Sequence, residues 1–234
     1  MPQPPTRVVV LTGAGISAES GIQTFRGGGG LWEGHRVEDV ASPEGFRRDP
    51  ERVQRFYNQR RRDLQQAEVR PNAAHLALAA FEARFQGEFL LITQNVDDLH
   101  DRAGSRNLLH MHGELLKARC VRTGEVFDWR GDLGPDTPHP TRPDLRGTLR
   151  PHIVWFGEMP LYLDPIQRAL SRADLFVSIG TSGNVYPAAG FVAATHTWCR
   201  KVEINLGDTE IADDFDERLV GPATEVVPAF FNTL

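Results

Sequence analysis

The chain has 234 residues, 40% of them hydrophobic and 24% charged, with a formal net charge of -5. That length allows one large core, or one core with a lobe built from long insertions, and a mildly acidic balance gives no general pull toward nucleic acid or anionic membranes. The two cysteines, Cys120 and Cys199, are too few for a disulfide framework or a four-thiolate zinc site and suit a reducing cytosol. The opening Met1-Pro2-Gln3-Pro4-Pro5-Thr6-Arg7 lacks a positive region followed by an apolar one, which predicts no secretory signal. No apolar run approaches the roughly 20 residues of a membrane span. A cytoplasmic monomer is expected, with neither nucleic acid nor membrane as partner.

Short apolar runs occur at Val8-Val9-Val10-Leu11, Phe89-Leu90-Leu91-Ile92, Leu175-Phe176-Val177-Ser178-Ile179 and Val202-Glu203-Ile204-Asn205-Leu206. Each is too short for a helix and predicts a buried parallel strand. Pro71-Asn72 predicts the start of a helix running through Leu76, Leu78, Phe81 and Phe85, and Asp164-Pro165 that of another through Ile166 and Leu170, with proline at the first helical position in both. Strands alternating with helices predict an α/β fold, a doubly wound, Rossmann-like parallel sheet. Two stretches break the rhythm: 27–70, which opens on four glycines expected to form a mobile loop, and 115–152, with Pro135, Pro138, Pro140 and Pro143 close together. These predict a smaller second lobe of two insertions, set against a nucleotide-binding domain of residues 1–26, 71–114 and 153–234, with a ligand cleft between.

The first strand runs into Thr12-Gly13-Ala14-Gly15-Ile16-Ser17-Ala18. Gly13, Gly15 and Ala18 fit the spacing G-x-G-x-x-G/A between strand and helix, where a bare backbone lets a pyrophosphate approach a helix N-terminus. A tight turn with no ligand is the alternative. A dehydrogenase would carry an acid about 20 residues on, at the end of a second strand; Leu31-Trp32-Glu33-Gly34-His35-Arg36 has the acid but no strand before it. Further polar runs are Ile22-Gln23-Thr24-Phe25-Arg26-Gly27, Thr93-Gln94-Asn95-Val96-Asp97-Asp98-Leu99-His100 and His110-Met111-His112-Gly113-Glu114-Leu115. His75, His100 and His110 read as packed structural histidines.

Asp49-Pro50 predicts a helix in which Val53, Tyr57, Arg60 and Leu64 share one stripe, while Arg61 and Arg62 point elsewhere, to a solvated face. An arginine in an apolar stripe needs an anionic partner. Arg60, one turn from Tyr57, suits a bidentate carboxylate contact or, equally, a structural pair with an acidic side chain.

Taken together, Gly13-Ala14-Gly15-Ile16-Ser17, Gly21-Ile22 with Phe25-Arg26, Thr93-Gln94-Asn95-Val96-Asp97, His112-Gly113 and Gly180-Thr181-Ser182 resemble the sirtuin family, in family order and across nearly the whole chain. Tyr57-Asn58-Gln59-Arg60 and Val154-Trp155-Phe156-Gly157-Glu158 resemble its bacterial class III branch. The resemblance implies an NAD-consuming lysine deacylase acting on acylated proteins. The acyl oxygen attacks the nicotinamide ribose, nicotinamide leaves, a ribose hydroxyl attacks the resulting imidate, and O-acyl-ADP-ribose is formed. It implies His112 as general base, apt because an imidazole titrates near neutral pH, and Asn95 as holder of a ribose hydroxyl or water. Asp97 would meet the nicotinamide amide, Phe25 shield the ribose, Arg26 reach its oxygens, and Gly113 leave room for substrate. Gln94 and Trp32 join the cofactor set. Gly180, Thr181 and Ser182 would face the adenosine half, Asn205, Leu206 and Gly207 its ribose, and Ala223 the adenine.

Tyr57 and Arg60 would recognise succinyl- and malonyl-lysine beside acetyl-lysine. The peptide would lie extended between Val154, Phe156, Gly157, Glu158 and Gly183-Asn184-Val185, pairing through main chain, with modest dependence on flanking sequence. Two departures stand out. The family's two Cys-x-x-Cys pairs, which hold a structural zinc, are reduced to Cys120, with Thr123 three positions on and His139 as one further nitrogen; no zinc is expected, and packing through Phe127 and Trp129 must serve instead. Gln23-Thr24 stands where many members have Pro-Asp, which loosens the loop. A dehydrogenase, a mono-ADP-ribosyltransferase and a non-catalytic NAD or ADP-ribose binder are the rival readings. Hydride transfer would release no free nicotinamide, a transferase would label a protein acceptor, and a binder would not need a base that titrates near neutrality.

Overall fold

The computed structural model describes residues 4–23, 31–32 and 35–234, with only the backbone of Leu31 and Trp32. The strands are β1 Arg7–Thr12, β2 Leu31–Trp32, β3 His35–Arg36, β4 Glu88–Thr93, β5 Leu108–His110, β6 Gly113–Cys120, β7 Val126–Asp128, β8 Leu149–Ile153, β9 Leu175–Ile179, β10 Arg200–Asn205 and β11 Glu217–Val220. The helices are α1 Val37–Val40, α2 Pro43–Arg48, α3 Pro50–Leu64, α4 Ala73–Arg84, α5 Leu99–Ala103, α6 Leu163–Leu170 and α7 Ala223–Phe231, and a 3-10 helix spans Ala14–Ser20.

Six strands form one parallel sheet in the order β11-β10-β9-β1-β4-β5. The chain reverses its direction of travel across the sheet at β1, which pairs with β4 on one side and β9 on the other. This is the doubly wound arrangement, and such a switch point opens a crevice at the carboxyl ends of the strands. Both faces of β1 and β9 are covered: Val8, Val10 and Val177 pack with α4 and α7, while Val9, Leu11 and Phe176 pack under α6. Continuous β-branched and apolar runs are what a strand buried on both faces needs. The four strands expected from the sequence are all present; β5 and β11 were not expected.

Two helix starts differ from expectation. Pro71 precedes the cap of α4 rather than opening the helix. Asn72 is the N-cap, its side chain accepting from Ala74 N at 3.0 Å, with His75 closing a capping box. Helix α6 begins at Leu163, capped by Tyr162 at φ 62, so Pro165 sits inside the first turn.

The smaller lobe carries an antiparallel sheet in the order β7-β6-β8. Against it packs α3, whose Asp49 caps it by accepting from Arg52 N at 2.9 Å. Val53, Tyr57 and Leu64 form a core with Leu115, Ile153 and Trp155. Arg61 overturns the expectation of a solvated face: it is fully buried, donating to Leu115 O at 3.1 Å, Asn58 Oδ1 at 2.9 Å and Gly131 O at 3.2 Å. Burial lowers its pKa to about 10. Arg62 is exposed and pairs with Asp132 at 2.6 Å. Among the described residues, no helix is long and apolar enough to cross a membrane.

Candidate active site

A cleft of about 930 Å³ runs along the carboxyl ends of β1, β4, β9 and β10 and on between α3 and the end of β8. Its floor begins with the glycine loop, where the backbone turns back on itself: Gly13 N donates to Ile179 O at 2.9 Å and Gly15 N to Gly180 O at 2.8 Å. A Cβ on Gly15 would lie 2.6 Å from Gly180 Cα, so this glycine is required by loop-on-loop packing beneath the cleft. Ala14 and Ser17 line the cleft beside it.

Ser17 organises the floor. Asn95 Nδ2 donates to Ser17 Oγ and to Gly13 O, each at 3.1 Å, and Ser17 Oγ donates to Asp97 Oδ2 at 3.1 Å. His75 Nε2 lies 3.4 Å from Ser17 Oγ. On its other side the ring's Nδ1 lies 3.3 Å from Asn72 N and 3.0 Å from Asn72 Oδ1, which ties the floor to the cap of α4. Asn95 therefore has both amide donors engaged by the protein. Asp97 is buried, which raises its pKa to about 6 against the pull of Leu99 N and Ser17.

His112 follows β5. Its Nδ1 lies 3.1 Å from Gln94 O, and a carbonyl only accepts, so Nδ1 carries the proton and Nε2 is the basic nitrogen. Burial lowers its pKa, partly offset by the Gln94 carbonyl, and the ring is neutral at pH 7. Gly113 has a reason other than room for substrate: its φ is 83, and a Cβ there would stand 2.0 Å from His152 O. Val154 N donates to His112 O at 2.8 Å, joining the residue after β8 to His112. His110 is a packed residue, 3.0 Å from Asp101 Oδ2. His100 is buried beside Thr12 Oγ1 at 3.0 Å, with its ring 4.8 Å from that of His75.

At the far side, Gln94 Nε2 donates to Thr181 Oγ1 at 3.0 Å and Asn205 Nδ2 to Thr181 O at 2.7 Å. Gly180, Thr181 and Ser182 thus meet Asn205, Leu206 and Gly207 along one wall. Ala223 is not among the residues lining the cleft. It opens α7 and is packed in the main core with Ile16. Phe25, Arg26, the glycine run 27–30 and the Trp32 side chain lie outside the described residues, as does Thr24.

The other end is lined by Tyr57 and Arg60 of α3, with Val154, Phe156, Gly157 and Glu158 after β8. Tyr57 is buried, which holds its phenol well above the usual range. The Arg60 guanidinium lies 3.3 Å over the Phe56 ring and donates to Phe56 O at 3.2 Å. Phe156 N donates to Ala41 O at 3.0 Å and Glu158 N to Trp155 O at 2.9 Å, so main-chain pairing of a peptide with this segment would use its other groups. The Glu158 carboxylate is likewise committed, to Arg150, Arg119 and Trp155 N. Trp155 itself lines the cleft and was not singled out beforehand; only a buried indole beside Tyr57 in space would have marked it.

The small sheet does not fit zinc. Cys120 Sγ donates to Thr148 Oγ1 at 3.4 Å. His139 Nε2 stands 3.5 Å from Thr123 Oγ1 and 3.3 Å from Glu125 Oε2, with Arg142 at 3.5 Å from the same oxygen. A cation beside the imidazole opposes a metal ion, and among the described residues no three His, Cys, Asp or Glu side chains are placed to hold one. Ala118, Leu133, Leu149 and Cys120 pack instead under Phe127 and Trp129.

The model of the Sir2 family matches residues 13–187. A protein of Rhodopirellula baltica named NAD-dependent protein deacylase is 59% identical over 232 residues, covering 96% of this chain and 97% of its own length. One of the same name from Escherichia coli (strain K12) is 60% identical over 231 residues, covering 97% and 82%. The crystal structure of a Sir2 homolog–NAD complex superposes with a TM-score of 0.87 at 40% identity, covering 98% of this chain and 89% of that one. With the family model spanning the glycine loop, the His112 run and the wall after β9, this chain belongs to the Sir2 family.

Proposed function

We propose that this protein is an NAD-dependent protein-lysine deacylase that removes succinyl, malonyl and acetyl groups, yielding nicotinamide and O-acyl-ADP-ribose. The observation that carries the reading is the polarity of His112: Gln94 O accepts a hydrogen bond from its protonated Nδ1, which leaves an unprotonated Nε2 in the cleft that holds Asn95 and Asp97. The cleft suits NAD in size and in its position at a strand switch point. Bound there, NAD supplies an electrophilic ribose carbon with nicotinamide as leaving group.

The chain's own residues do the rest. His112 Nε2 accepts a ribose hydroxyl proton. The Asn95 oxygen, held by the anchoring of its amide on Gly13 and Ser17, orients a hydroxyl or water. Asp97, fixed by Ser17 and Leu99, accepts from the nicotinamide amide. Thr181 and Asn205 steady the adenosine half.

Tyr57 and Arg60 support the dicarboxylic part of the reading, since both line the same end of the cleft. A phenol donor beside a guanidinium matches a terminal carboxylate. The test is mass spectrometry of succinylated and acetylated peptides incubated with and without NAD. Loss of both groups only with NAD, with stoichiometric nicotinamide, is expected; NAD-independent loss, or a labelled protein acceptor in place of deacylation, contradicts it.

A further inference from the structure

Trp155 follows β8, is 2% exposed and is held on every side. The Arg150 guanidinium lies 3.2 Å over its ring, and the Phe46 ring centroid is 5.2 Å away. Its backbone N donates to Glu158 Oε2 at 2.9 Å. The same carboxylate takes Arg150 Nη1 at 2.7 Å and Nη2 at 3.0 Å, and Arg119 Nη2 at 2.7 Å. Arg150 Nη2 also donates to Ile153 O at 2.8 Å. An ion pair in which both Glu158 oxygens and both Arg150 Nη groups are engaged is a rigid support. It leaves the indole one orientation, with Nε1 donating to the Tyr57 hydroxyl at 2.9 Å.

An indole N–H donates and never accepts. The Tyr57 oxygen is therefore the acceptor in this bond, and the phenol proton is directed away from Trp155. Tyr57 keeps that proton at any working pH, because burial holds the phenol above its usual range. The orientation matters for what the cleft selects. A carboxylate accepts such a proton, whereas the methyl of an acetyl group offers nothing to accept it.

We propose that Trp155 is a positioning residue for acyl selection: its Nε1–H sets the Tyr57 hydroxyl as a donor toward the terminal carboxylate of a dicarboxylic acyl-lysine, and the Arg150–Glu158 pair fixes Trp155. The inference rests on the reading of Tyr57 and Arg60 given above. It also gives Glu158 its part, as the anchor of the indole rather than a partner of the peptide.

The test compares kcat/KM for a succinyl-lysine and an acetyl-lysine peptide of one sequence in wild type, Trp155→Phe, Tyr57→Phe and the double variant. Phenylalanine keeps an aromatic face for Arg150 and loses only the N–H donor and some ring area. The succinyl-to-acetyl ratio is internal to each preparation, so a loss of folded protein cancels. Trp155→Phe is expected to lower the ratio about tenfold, the worth of one buried hydrogen bond to a selecting group. The double variant is expected to be no worse than Tyr57→Phe, because Trp155 acts through Tyr57. An unchanged ratio in Trp155→Phe, or a full further loss on the Tyr57→Phe background, overturns the inference. The dicarboxylic reading survives that outcome if Tyr57→Phe and Arg60→Met still lower the ratio. A wild-type enzyme that does not desuccinylate removes that reading and this inference together. Should Trp155→Phe not fold, the indole N–H resonance of Trp155 in the wild type reports the same bond. It is expected to move on adding the succinyl peptide and little on adding the acetyl one; equal movement overturns the inference.

Discussion

The floor of the cleft and its proposed acyl-lysine end are built from different kinds of chain. On the floor, Gly13, Ser17, Asn95, Asp97 and His112 each stand within a few residues of the end of a parallel strand, and the sheet brings those ends together. At the other end, Tyr57 comes from the middle of α3, and what orients it, Trp155, comes from beyond β8. The floor is a set of short local runs aligned by topology. The acyl end is a chain of long-range contacts in which each group is held by a residue far away in sequence. On the function proposed above, the first region would supply chemistry common to every acyl-lysine, and the second would decide which acyl group is taken.

The largest expected effect separates the two at once. His112→Ala removes the proposed base and is expected to lower deacylation of every acyl-lysine about a thousandfold, within the usual range for a general base. NAD binding, read by calorimetry, should stay near the wild-type value. Substantial residual turnover would take the base away from His112. Arg60→Met acts at the other end: desuccinylation should fall roughly a hundredfold, the loss of a charge-assisted contact, and deacetylation only a few-fold. Equal losses on both would mean that Arg60 serves the structure.

A smaller effect lies beneath the floor. His75 is fully buried and its pKa is lowered by burial to about 4, and burial lowers that of buried His100 as well. Both are depressed relative to an unfolded histidine, so stability is complete above about pH 6.5 and falls as the unfolded chain takes up protons below it. His75 alone implies a loss of roughly 2 kcal/mol by pH 5. Asp97, raised to about 6, works in the opposite sense and offsets part of it. Thermal melts at pH 7.5 and 5 should show a lower Tm in acid, and a flat profile would contradict the buried neutral pair. The smallest effect is none at all: a strong chelator should leave both Tm and turnover unchanged, because the small sheet is packed under Phe127 and Trp129 without a fitting donor set. A chelator-induced fall in Tm would mean that a metal holds it.

The same contrast explains what could be read in advance. Apolar runs announced β1, β4, β9 and β10, and the polar runs after β1 and β4 announced the floor, because strand period and turn chemistry are local. β5 is three residues long and β11 alternates half-buried and exposed positions, so neither carries a clear signal. Arg61 was misread because helical spacing gives a residue's direction but not what covers that side. Here β6 and the turn at Gly131 do, offering carbonyls to a side chain long enough to reach them. Glu158 and Trp155 were obscured for the same reason: the partners that define them, Arg150 and Tyr57, are neighbours only in the folded chain. Gly113 was legible as a requirement but not as a cause, since the His152 carbonyl that crowds it lies on another strand.

The most direct measurement is a competition: an equimolar mixture of one peptide carrying succinyl-lysine or acetyl-lysine, incubated with NAD and with wild type, His112→Ala or Arg60→Met, the free lysine from each being counted by mass spectrometry. The account predicts that His112→Ala loses both products alike and Arg60→Met loses the product of the succinyl peptide selectively. If Arg60→Met leaves the product ratio of the wild type unchanged, or His112→Ala alters that ratio while still turning over, the division between a common floor and a selecting end is wrong.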